Sequence, residues 1–198
     1  MGLPNLSRMS TGIAADLHRY LQQSRESLLR SLADLPEYDI RRPMTPTATN
    51  LLGIVKHLVG VELGYLGDSV GRPAPVTLPW LEDGSVWESA DMWAKPDETR
   101  EYIVDLYRRA WTHSDESIER LPLDAPASVS WWAEDRRETT FGSLLVRVLE
   151  DTAHHAGHAD IVRELIDGQA GRDHTATGDE QWWTDYTRRV REAADHHR

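Results

Sequence analysis

The chain contains no cysteine in its 198 residues. That removes disulfide staples, a thiolate metal site and a cysteine nucleophile together, so any thiol chemistry needs a thiol supplied from outside. It has no apolar run approaching the roughly 18 residues that a membrane-spanning helix requires. Positive charge is scarce. Lys and Arg number 22 against 33 Asp and Glu, a net charge of -11, and such a surface repels nucleic acid and anionic membranes. The opening Met1-Gly2-Leu3-Pro4-Asn5-Leu6-Ser7-Arg8 shows no basic segment followed by an apolar one, so no signal peptide is expected and the cytoplasm is the expected location.

What is present suits one globular domain: 39% hydrophobic and 28% charged residues. A helix is predicted over 11–35, with Ile13, Leu17, Tyr20, Leu21, Ser24, Leu28, Leu32 and Leu35 on one face and Pro36 as its stop. A second runs over 51–70, capped by Thr49 or Asn50, with Leu51, Ile54, Leu58, Val61 and Tyr65 on its apolar side. Gly53, Gly60 and Gly64 share a face with His57. They point either to a backbone or ligand passing close by or simply to tight helix packing. Residues 72–96, rich in proline and tryptophan, read as a long connection with a turn of helix near 86–92. Asp97 is the expected cap of a third helix reaching 121. A short extended segment is expected over 128–132, but no hairpin partner for it stands out.

The fourth helix, 139–166, ends at Asp167-Gly168. A polar linker over 171–178 then leads to a short helix capped by Asp179, whose Trp182, Trp183, Tyr186 and Val190 are expected to dock on the bundle. The prediction is all-α: a four-helix bundle with a long connection between helices 2 and 3 and a short C-terminal helix. Its core spans about 11–168 and its C-terminal extension 169–198.

Coordinating chemistry concentrates in the fourth helix. At 100° per residue, Leu144, Val148, Thr152, Ala159, Val162 and Ile166 form one stripe. His155 lies near its centre, Asp151 and His158 lie on its flank, and His154 is rotated away towards the surface. With His57 on the second helix these residues make a set of nitrogen and oxygen donors suited to zinc, nickel, iron or manganese. The alternative is that the core histidines are held only by hydrogen bonds.

Two motifs carry a resemblance. One is His155-Ala156-Gly157-His158-Ala159-Asp160 followed by Arg163-Glu164 and Asp167-Gly168; the other is Leu51-Leu52-Gly53, Lys56-His57-Leu58 and Val61-Glu62. In these the chain resembles the DinB / YfiT-like metalloenzyme superfamily, most closely an actinobacterial DinB-like branch related to mycothiol-dependent maleylpyruvate isomerase-type bundles. The resemblance implies a divalent metal, zinc first, held by His57, Asp151 and His155. Relatives carry histidine or glutamate where Asp151 stands, so the shorter carboxylate is a departure, and His158 is the alternative third ligand. Otherwise His158 is the expected catalytic acid–base group or a residue that orients a ligand.

The resemblance further implies a thiol-dependent S-transferase or isomerase in which the metal lowers the pKa of an external low-molecular-weight thiol such as mycothiol, and the thiolate attacks a small-molecule electrophile. The competing expectations are a metal-dependent hydrolase and a non-enzymatic metal- or ligand-binding stress protein. Exposed helix faces leave room for a homodimer.

Overall fold

In the computed structural model, residues 12–169 and 178–198 are described. Four long helices form the body: α1 (Ile13–Ser31), α3 (Leu51–Leu66), α5 (Arg100–Arg120) and α6 (Phe141–Asp167). Shorter pieces are α2 (Glu37–Arg41), α4 (Pro79–Glu82) and α7 (Glu180–Asp195), with strands β1 (Pro126–Ser128) and β2 (Glu138–Thr140). The expected all-α bundle is what the chain forms. No helix among the described residues is long and apolar enough to cross a membrane.

α3 is the hub. It packs against both α5 and α6, while α1 packs on α6. Nearly every residue of α3 is buried, including Lys56 and Glu62, so the helix has no true polar face and the amphipathic reading of it was too narrow. On α1 the stripe is Leu21, Arg25 and Leu28. Arg25 is fully buried whereas Ile13 and Tyr20 are largely exposed, because a buried partner on α3 recovers the guanidinium for the core.

Caps and stops explain most helix boundaries. Asn50 caps α3 by accepting from Gly53 N at 2.7 Å, and Gly168 in the left-handed region ends α6. Thr99, not Asp97, caps α5 by accepting from Tyr102 N at 3.1 Å. Glu98 holds the preceding turn, its carboxylate accepting from Lys95 N and Lys56 Nζ, so the helix cannot start earlier. α1 stops short of Pro36, which instead leads into α2.

In the connection, one helical turn falls at Pro79–Glu82, ahead of the stretch expected, and a second at Ser85–Glu88 overlaps its start. The extended segment falls earlier too: β1 pairs antiparallel with β2, Ala127 opposite Thr139, and Trp131 and Trp132 occupy the loop between. Strands of three residues are too short to show an alternation. The linker expected over 171–178 lies outside the described residues except for Gly178. Asp179 caps α7 as expected, but no residue of α7 is buried. Its rings contact one another instead, Trp182 stacking on Tyr186 at 5.0 Å.

Candidate metal centre

His57 projects from α3, and Asp151 and His155 from α6, where the interval of four residues stacks them one turn apart. Each offers one donor atom, and the three lie within 4.8 Å of one another. Asp151 is central: its Oδ2 is 3.7 Å from His57 Nε2 and its Oδ1 is 3.9 Å from His155 Nε2. The two imidazoles meet edge to face with centroids 5.0 Å apart. All three side chains are partly buried, with exposures of 25%, 34% and 17% for His57, Asp151 and His155. The cluster therefore faces solvent through a limited opening.

A fourth residue completes the arrangement. Asp91, from the long connection, places Oδ2 2.6 Å from His57 Nδ1. This leaves His57 Nε2 directed at Asp151. Three contacts with α3 fix that part of the connection. Lys56 Nζ donates to Ala90 O at 2.8 Å and to Trp93 O at 3.0 Å. Asn50 Nδ2 donates to Met92 O at 3.0 Å. A side chain at Gly53 would put its Cβ 1.8 Å from Met92 O, so only glycine admits the connection here. Gly64 admits the Trp131 ring, 3.1 Å from where its Cβ would lie, whereas a Cβ at Gly60 would make only an ordinary 3.8 Å contact with Trp80. The glycines thus serve a passing backbone and an indole rather than helix–helix packing.

A family model described as Mycothiol-S-transferase matches residues 16–168, a span holding all four of these residues. The chain belongs to the mycothiol S-transferase family. Among solved structures, a conserved protein from Enterococcus faecalis superposes with a TM-score of 0.61 at 14% identity, covering 80% of this chain and 99% of that one. At that identity the likeness shows the fold alone. No curated protein matches the chain.

In this member of the mycothiol S-transferase family the cluster polarises its own residues. Burial disfavours charge on His57, but Asp151 and Asp91 outweigh it and hold the imidazole at about 9. Burial and then the His57 charge push His155 down to about 4. For Asp151, burial opposes ionisation, yet His57, His155 and Arg147 together keep its pKa below the usual carboxylate value.

His155 Nδ1 is buried with no hydrogen-bond partner among the described residues. Two imidazole Nε2 atoms on either side of an ionised carboxylate, with one ring fixed by a second carboxylate, fit a divalent cation of the zinc type. His158 lies outside this group of three. It is exposed, with its ring 5.6 Å from that of His155. His154 is at the surface beside Glu150, Nδ1 to Oε1 2.9 Å. The sequence reading missed Asp91, because a contact across 34 positions from an aperiodic segment leaves no pattern.

Proposed function

We propose that the chain is a divalent-metal-dependent S-transferase that joins an external low-molecular-weight thiol, mycothiol or one like it, to a small electrophile. The observation that carries this reading is the convergence of His57, Asp151 and His155 inside the span matched by the family model. These three residues would hold the ion, zinc first, and three protein ligands leave a position open for a substrate. A bound divalent ion supplies the Lewis acidity that favours the thiolate form of a thiol at neutral pH.

The chain's own residues do the rest. Asp91 fixes the ring of His57 and its tautomer, presenting Nε2 to the cluster. Asp151 lies between the two imidazoles and balances the charge of His57. His158, exposed beside His155, is the residue we assign to take the thiol proton. A sulfur–carbon bond then forms, and the leaving group departs with its electron pair. The absence of cysteine fits a thiol that comes from outside.

The test is mass-spectrometric detection of the conjugate from mycothiol and an activated alkyl halide, with metal-loaded protein. Conjugate formation that needs both the ion and the thiol supports the reading. Turnover of an ester or amide without any thiol would replace it with hydrolysis. No turnover of either kind by a metal-loaded protein would favour a binding role.

A further inference from the structure

We infer that the cavity bounded by Trp131, Trp132, Ala133, Arg136 and Arg147 is a binding site for a flat conjugated carboxylate. Its role as the electrophile's site rests on the thiol-transfer reading above, whereas its existence as a binding site does not. The cavity measures about 390 Å³, enough for a bicyclic ring.

Two helical ladders join it to the three-residue cluster. On α6, Arg147 stands one turn before Asp151 on the same face, close enough for its charge to help keep the Asp151 carboxyl ionised. On α3, Gly64 stands two turns beyond His57, again on one face, and the absent side chain there admits the Trp131 ring. The cavity therefore lies one to two helical turns from the candidate metal centre along both helices.

Its walls have a consistent chemistry. Tyr65 is in ring contact with Trp131 at 5.2 Å and with Trp132 at 5.9 Å, and Trp132 Nε1 donates to Tyr65 Oη at 3.3 Å. The Arg147 guanidinium lies over the Tyr65 and Trp132 rings at 5.1 and 5.4 Å. These contacts hold the aromatic wall before any ligand arrives. Trp131 keeps 40% of its surface exposed, leaving an indole for a planar group to cover. In a chain with net charge -11, neither Arg136 nor Arg147 has a carboxylate ion-pair partner among the described residues. A guanidinium fork that meets aromatic faces but no carboxylate within ion-pair distance matches a carboxylate attached to a conjugated ring or alkene.

Calorimetric titration with an unreactive naphthalene carboxylate, its neutral carboxamide and acetate tests this on the protein as purified, without thiol. The carboxylate is expected to saturate one site, with the carboxamide and acetate each binding ~10-fold or more weakly. Arg147→Gln and Arg136→Gln are each expected to weaken the carboxylate ~10-fold while leaving the helical circular dichroism unchanged. His57→Ala should leave this binding intact. No binding, equal affinity for the carboxamide, or unchanged affinity in both arginine variants overturns the inference. So does loss of binding in His57→Ala alone, which would put the carboxylate on the metal centre. Thiol transfer can fail its own test while this site stands, and the converse also holds.

Discussion

Asp91 and His57 show how much a single hydrogen bond decides. Without Asp91 the His57 ring would be free to turn, and loss of such an orienting carboxylate typically costs about 10–100-fold in metal affinity. Asp91→Asn is expected to fall in that range by metal titration. His57→Ala and His155→Ala are each expected to abolish stoichiometric binding in a protein that still folds, since alanine suits both helix positions. For Asp151→Ala the expected loss matches that of a histidine, while His158→Ala should spare metal affinity and lower turnover. A reversal of that order would make His158 the third ligand.

Protonation adds a sign. With its pKa held at about 9, ion-free His57 is protonated at neutral pH, so an incoming ion must displace that proton. Metal affinity should therefore rise as pH rises towards about 9, with proton release visible by calorimetry in buffers of different ionisation enthalpy. In the ion-free protein, the His57 contribution to stability is fully present below its unfolded value of 6.5 and is lost as pH rises through about 9. His155 works the other way: its contribution is present above 6.5 and is lost as pH falls through about 4.

At the scale of elements, the connection over 72–96 matters as much as the helices it joins. Gly53→Ala drives a Cβ into the backbone of Met92. Overpacking of this kind costs about 1–3 kcal/mol, and the displaced connection should carry Asp91 away from His57. Urea unfolding and metal titration should therefore both show a loss. Gly60→Ala is the control: with only an ordinary contact to make, it should retain stability and metal affinity. The four long helices were legible in the sequence because an apolar stripe repeats every three to four residues, and the Asn50 cap and the Gly168 stop were legible from residue type. His57, Asp151, His155 and His158 were legible as donors on the core-facing sides of two helices, but the choice of the first three came only through the family pattern, since spacing within one helix says nothing about what another helix brings to it. Asp91 and the β1–β2 pair left no such trace. The connection is held by a buried lysine, an asparagine cap and a missing side chain, none of which repeats along the chain.

Across the whole molecule, a buried ionic network ties three helices together behind the candidate site. Arg25 of α1 pairs with Glu62 of α3 through two bonds, Nε to Oε1 at 2.7 Å and Nη2 to Oε2, and both side chains are fully buried. Arg25 Nη1 also reaches Asp115 of α5 at 2.7 Å. Burial pushes the Glu62 carboxyl up despite its partner. Removing one member leaves the other charge uncompensated, so Arg25→Met should cost about 3–5 kcal/mol in urea unfolding. Replacing both, with Glu62→Leu added, should recover much of that loss. Full additivity of the two losses would contradict the pairing. The arrangement fixes α1, α3 and α5 against one another and so holds the His57 helix at a set height beside α6.

The most direct test of the central claim is elemental analysis of protein purified without a histidine tag, for the wild type and for His57→Ala and His155→Ala. The account predicts roughly one divalent ion per wild-type chain and near none in either variant, all three remaining folded. A wild-type protein that holds no ion after dialysis against zinc, nickel, iron and manganese in turn would contradict it. Variants that retain the wild-type content would contradict it too.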